Sequence, residues 1–215
     1  MNKNTILVTG GNGQLGSEIR ELASKYTDHH FIFTDVESLD ICNHKAVVTF
    51  IEKNNINVII NCAAYTAVDK AEEQAELADK INHVAVANFA QIAKDQNIQL
   101  VHISTDYVFD GTNHKPYTES DIPNPQSVYG QTKLEGELAM QKINPQNSMI
   151  IRTSWVYSKF GNNFVKTMLR LGSERDELSV VADQIGTPTH AADLARAIVS
   201  IIPQIKNEVV EVYHY

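Results

Sequence analysis

With 215 residues, 43% of them hydrophobic and 20% charged, the chain is long enough to bury one full α/β core with little left over. Its formal net charge of -8 argues against nucleic acid or an anionic membrane surface as a general partner, while leaving room for a nucleotide in a pocket rich in N–H groups. The two cysteines, Cys42 and Cys62, follow no metal-ligand spacing, and no stretch reads as a signal peptide or membrane span, so a cytoplasmic protein with reduced thiols and no bound metal is expected.

The first apolar run, 6–9, predicts a buried strand. It leads into Thr-Gly-Gly-Asn-Gly-Gln-Leu-Gly at 9–16 and an amphipathic helix over 15–26. Gly11, Gly13 and Gly16 satisfy G-x-G-x-x-G, and Gly10, Gly13 and Gly16 satisfy the G-x-x-G-x-x-G variant. A strand before and a helix after give the motif the context it needs: a tight turn, close backbone approach to a pyrophosphate, and the free N–H groups of a helix start. A turn that merely packs helix against strand is the bland alternative. A second strand, 31–34, ends at Asp35, where a carboxylate can bind the ribose hydroxyls of an adenosine and oppose a 2′-phosphate; it can also be a simple turn aspartate. No arginine follows it closely in sequence. Asp40 and Ile41 fall where an adenine ring would rest.

A helix over 45–54 and a strand over 58–61 follow. The small residues Asn61-Cys-Ala-Ala64 after that strand leave space for a ligand, or only for close packing. The helix predicted over 78–96 shows an apolar face at Ile81, Val84, Ala85, Phe89, Ile92 and Ala93. The next strand, 100–104, carries His102, read as a packed neutral histidine, and ends in Ser104-Thr105 at the edge where open α/β sheets bind ligands. Residues 111–127, with Pro116, Pro123 and Pro125, read as a long functional loop. The helix over 129–143 opens with Y-x-x-x-K: Tyr129 and Lys133 share a face, and the ammonium should lower the phenol's pKa so that the pair passes a proton to a carbonyl. A strand over 149–152, a helix over 162–171, a strand over 178–181, a helix over 191–202 and a strand over 209–213 complete the chain. The alternation predicts a doubly wound parallel sheet of Rossmann type.

Glycine turn, strand-end hydroxyl and Y-x-x-x-K helix, in that order, resemble the extended short-chain dehydrogenase/reductases. Six segments narrow the resemblance: 63–72 (AAYTAVDKAE), 104–111 (STDYVFDG), 128–137 (VYGQTKLEGE), 152–157 (RTSWVY), 161–168 (GNNFVKTM) and 183–188 (DQIGTP). Together they look like the dTDP-4-dehydrorhamnose reductases, across essentially the whole chain. The resemblance implies reduction of the 4-keto group of dTDP-4-dehydro-L-rhamnose to dTDP-L-rhamnose by NADH or NADPH, for cell-surface polysaccharide synthesis. It implies Tyr129 as proton donor, Lys133 as its partner and Thr105 as the hydroxyl that tunes them. Gly10, Gly13, Gln14, Leu15, Gly16, Asp35, Asp40, Ile41, Ala63, Ala64 and Tyr65, with Tyr129 and Lys133, would bind the cofactor; Thr105, Asp106 and Trp155 would touch the nucleotide-sugar substrate. It divides the chain into an NAD(P)-binding domain, 1–155, and a partial substrate-binding lobe, 156–215, interleaved with the last sheet elements. Family members continue through further elements that complete that lobe. The resemblance admits a homodimer. Two rivals remain: a nucleotide-sugar epimerase or dehydratase of the same superfamily, and a non-catalytic NAD(P)-binding module similar to the regulatory subunit of methionine adenosyltransferase.

Overall fold

The computed structural model describes residues 3–181 and 184–215. The start of the 183–188 segment, Asp183, therefore lies outside the described residues. Six strands form one wholly parallel sheet: β1 (Thr5–Thr9), β2 (His30–Phe33), β3 (Val58–Asn61), β4 (Gln99–Thr105), β5 (Met149–Thr153) and β8 (Glu211–His214), in the spatial order β2-β1-β3-β4-β5-β8. The order reverses beside β1, and the crevice at such a switch point is where sheets of this kind bind ligands.

Strand residues alternate between two faces, and each face packs a different helical layer. Leu7, Ile59, Leu100 and Ile150 point to one side, against Val47 and Ile51 of α2 (His44–Lys53), Phe89 of α5 (Ala85–Gln96) and Met140 of α6 (Val128–Ile143). Ile6, Val8, Val58, Ile60 and Ile151 point to the other, against Ile19 of α1 (Gln14–Ala23) and Leu194 and Ile198 of α8 (Ala191–Ile201). Near-continuous apolar strands are the signature of a sheet buried on both faces.

Three regions differ from the sequence reading. Ahead of α5 the chain forms α3 (Val68–Ala71), α4 (Ala75–Asp79) and a π turn at Lys80–Val84. The π turn carries Asn82 inward, where its side chain accepts from Tyr65 N at 2.9 Å and donates to Tyr65 O at 3.1 Å and Thr132 Oγ1 at 3.2 Å. Residues 178–181 form no strand. They lie exposed, while the small second sheet pairs β6 (Val156–Tyr157) with β7 (Thr189–His190). An apolar run becomes a strand only where a neighbouring ladder pairs its backbone, and among the described residues none pairs with 178–181. Lastly, α7 (Phe164–Glu174) buries no residue. By contrast α8 and β8 return to the main sheet, so the final elements belong to the core rather than to the excursion at 156–190.

The long loop at 111–127 is organised by Asp110. Its carboxylate accepts from Thr112 N, Thr112 Oγ1, Tyr117 Oη and Asn124 Nδ2 at 2.8–3.1 Å, and these bonds hold it well below the usual carboxylate range.

Candidate active site

A cleft of about 980 Å³ opens along the carboxyl ends of the strands. Its floor begins at the glycine turn. Gly10 takes a left-handed backbone (φ +62°), and a Cβ there would stand 2.8 Å from Ala63 N. At Gly16 a Cβ would fall 2.3 Å from Gly10 O, so only glycine lets α1 start this close to the turn. Gly13 is the N-cap of α1 and offers no side chain to the helix's first N–H groups, which suits an anionic phosphate.

Asp35 closes the β2 end. Its carboxylate accepts Asn12 N–H at 3.0 Å and Val36 N–H at 2.9 Å. Arg20 donates to Asn12 Oδ1 at 3.3 Å and to Gly11 O at 3.1 Å, with its guanidinium 4.8 Å above the Phe33 ring. The fold thus brings from α1 the cation that the sequence after Asp35 lacks. Asp35 and Arg20 both bond Asn12, Asp35 at its backbone N–H and Arg20 at its side-chain oxygen.

Gly10, Gly13, Gln14, Leu15, Asp35, Asp40, Ile41, Ala63 and Ala64 all line the cleft, as do Thr105, Asp106, Tyr129, Lys133 and Trp155. Two of the named residues stand apart from the lining. Gly16 is packing against Gly10, and Tyr65 turns its hydroxyl to Gln74 Oε1 at 2.9 Å. Gln14 spends its amide on the structure, donating to Val156 O at 3.1 Å and accepting from Asn163 Nδ2 at 2.9 Å, so it ties the glycine turn to the β6–α7 segment.

The reacting end is built on β4, β5 and α6. Thr105 ends β4 and caps the 3-10 turn Asp106–Val108, accepting Tyr107 N–H at 3.2 Å and donating to Asp106 Oδ1 at 3.1 Å. Ser127 caps α6 by accepting Gly130 N–H at 3.1 Å. Gly130 is the first spacer of Y-x-x-x-K, and a Cβ on it would lie 2.2 Å from Tyr107 O; this contact presses the α6 start onto the Thr105 turn. Tyr129 and Lys133 are both buried. Burial pushes the Tyr129 phenol up to about 12, and the Thr105 hydroxyl opposes that only in part. The Lys133 Nζ is turned to β4, donating to Ile103 O at 2.7 Å and standing 3.3 Å from His102 Nε2. The sequence expectation of a lowered phenol is therefore reversed: desolvation dominates, and Tyr129 is held in its protonated form. Lys133 is itself lowered to about 8, by burial first, with Glu137 and Cys62 pulling the other way.

Two buried hydroxyls in the cleft, Ser104 Oγ, expected at the strand end, and Thr153 Oγ1, which sequence reasoning missed, have no hydrogen-bond partner among the described residues. Thr153 sits beside Thr105 across the β4–β5 ladder, a neighbour visible only once the strand order is known. At the far wall Trp155 adopts φ +46°, faces Phe164 at 5.7 Å and closes over Gly186. Elsewhere Asp79, His83 and Glu135 bring ligand atoms within 4.8 Å of one another, outside the cleft lining; His83 Nδ1 and Asp79 Oδ1 already bond at 2.8 Å. Among the described residues no helix is long and apolar enough to cross a membrane.

Comparison with known proteins agrees with this geometry. The RmlD substrate binding domain family model matches residues 4–215. A dTDP-4-dehydrorhamnose reductase of Aggregatibacter actinomycetemcomitans is 44% identical over 213 residues, covering 98% of this chain and 72% of that protein. Two solved dTDP-4-dehydrorhamnose reductases superpose closely. The Clostridium acetobutylicum structure gives a TM-score of 0.91 at 50% identity, covering 98% of this chain and 73% of its own. The Bacillus anthracis structure, in complex with NADP, gives 0.92 at 42% identity, covering 99% and 74%. A glycine turn, a strand-end threonine and a buried Tyr-Lys helix set in one cleft, together with these matches along nearly the whole chain, mean that the protein belongs to the RmlD substrate binding domain family, the family of these dTDP-4-dehydrorhamnose reductases.

Proposed function

We propose that this chain carries the catalytic centre of an NAD(P)H-dependent reductase that converts dTDP-4-dehydro-L-rhamnose to dTDP-L-rhamnose in the cytoplasm. The observation that carries the reading is the convergence of Thr105, Tyr129 and Lys133 with the glycine turn in one cleft. A bound reduced nicotinamide supplies the hydride. The protein's own groups do the rest. Gly10, Gly13 and the α1 start would hold the pyrophosphate, Asp35, with Arg20 behind it on Asn12, would hold the adenosine ribose, and Ala63 and Ala64 keep the middle of the cleft free of bulk. Asp40 and Ile41 would hold the adenine.

Tyr129 donates its phenolic proton to the sugar's C4 oxygen as that carbon accepts the hydride. A phenol kept protonated by burial is the form that a reduction consumes. Thr105 hydrogen-bonds the same oxygen, and Lys133, one turn further along α6, would hold the nicotinamide ribose. Trp155 and Phe164 give the deoxysugar an apolar wall, and residues 156–190 act as the substrate lobe.

The test is direct. Adding dTDP-4-dehydro-L-rhamnose to protein and NADPH should consume the two in equal amounts and yield dTDP-L-rhamnose. Inversion at C4 of a 4-hydroxy sugar nucleotide without net NADPH loss would instead identify an epimerase. NADPH binding with no turnover would identify a binding module.

A further inference from the structure

His102 lies completely buried between two polar partners. Asn61 Nδ2 stands 3.1 Å from its Nδ1, and Lys133 Nζ stands 3.3 Å from its Nε2. Burial holds the imidazole well below its ordinary pKa, so the ring is neutral and carries one proton. Which nitrogen holds it follows from the next residue along. Thr9 Oγ1 and Asn61 Oδ1 are 2.6 Å apart, the length of an O–H···O bond and short for N–H···O. That distance orients the Asn61 amide, with oxygen toward Thr9 and nitrogen toward His102. Thr9 Oγ1 in turn receives Ala63 N–H at 3.4 Å, which leaves its single hydrogen for Asn61. His102 Nδ1 is therefore an acceptor, and the ring proton sits on Nε2, facing Lys133.

We propose that Thr9 and Asn61 lock His102 in its Nε2–H tautomer, and that His102 is a positioning residue that donates to the uncharged amine of Lys133. An Nε2–H can bond only to an amine lone pair, whereas an ammonium at the same place sets donor against donor. Protonating Lys133 must break the chain by turning the Asn61 amide away from Thr9. Lys133 keeps its other anchor, Ile103 O, in either state.

The charged and titratable groups around Lys133 are few. Glu137 lies one turn further along α6 and is bonded to Arg152 of β5; Cys62 follows β3; Tyr129 lies one turn back. Glu137 and Cys62 favour the ammonium, while burial and the His102 donor oppose it, and the outcome is a lysine lowered to about 8. The sign follows: the His102 bond favours the neutral amine, so losing it raises the Lys133 midpoint. Under the proposed reductase function, this holds the lysine where it can exchange a proton near neutral pH without moving. That consequence rests on the reductase reading; the tautomer does not.

The experiment needs neither substrate nor cofactor, so its failure is distinct from failure of that reading. Long-range ¹H–¹⁵N spectra of the full chain labelled with ¹⁵N-histidine, recorded on the alkaline side of the Lys133 midpoint and assigned with His102→Gln, report the tautomer. A protonated Nε2 and bare Nδ1 are expected; a protonated Nδ1 overturns the proposal. Titration of ¹³Cε-lysine, assigned with Lys133→Met, supplies the second readout. Thr9→Val frees the Asn61 amide, and His102→Gln offers the lysine a carbonyl acceptor. Each should raise the midpoint by about one pH unit, roughly tenfold in proton affinity. A midpoint that is unchanged or lower in the folded variants contradicts the lock.

Discussion

Arg20 reaches back to the glycine turn from the exposed end of α1 and meets there the residue that Asp35 also holds, Asn12. Under the proposed function, a carboxylate and a guanidinium on one asparagine would let the ribose end of the cleft receive either a hydroxyl or a phosphate. The expected outcome for Arg20→Ala is a loss of ~10-fold in kcat/KM with NADPH, the scale of one hydrogen bond to a charged group, with NADH changed about twofold or less. Equal losses with both cofactors would show that Arg20 only braces the turn. Glu137 is a second residue whose role burial decides. It is buried and accepts from Arg152 Nε at 3.0 and 3.2 Å and from Nη2 at 2.6 Å. Glu137→Gln leaves that guanidinium uncompensated, and removing one partner of a buried pair costs ~3–5 kcal/mol. Urea unfolding of the two proteins measures this; a difference below about 1 kcal/mol would mean that water or Phe109, 5.1 Å from the guanidinium, compensates the charge.

Two amphipathic helices late in the chain look alike as sequence and differ in fate. In α8, Leu194, Ala195 and Ile198 are wholly buried against α1 and the sheet. In α7, Phe164 and Leu169 are exposed. Periodicity gives a helix and an apolar face but does not say what covers that face, which is why both helices were legible and their burial was not. The same limit explains residues 178–181, whose β-branched run lacks a partner strand, and Thr153, whose nearness to Thr105 depends on β5 lying next to β4. Stability should follow burial rather than pattern. Ile198→Ala should cost ~2–5 kcal/mol through the cavity it leaves. Leu169→Ala should shift stability by less than about 0.5 kcal/mol. Denaturant midpoints at constant slope make the comparison; similar costs at both sites would mean that α7 is covered in solution.

At the scale of the whole molecule, the site is the place where the sheet changes direction. The strand-turn-helix start, the strand ending in Ser104-Thr105 and the Y-x-x-x-K helix were all readable, because each is a local pattern with a physical reason for its spacing. What lay beyond reach were the long-range contacts: Gln14 and Ser158 tying α1 to the 156–163 segment, Arg20 at the turn, and the line Thr9–Asn61–His102–Lys133 that crosses three adjacent strands. The phenol's pKa reversed its expected direction for the same reason, since desolvation belongs to the packed structure and not to the i, i+4 spacing. The central claim is that Tyr129 is the proton donor of this cleft. Turnover of dTDP-4-dehydro-L-rhamnose and calorimetric NADPH binding, measured side by side on the unaltered protein and Tyr129→Phe, test it most directly. The account predicts a ~10²–10⁴-fold fall in kcat with cofactor affinity nearly unchanged; near-normal turnover of Tyr129→Phe would contradict it.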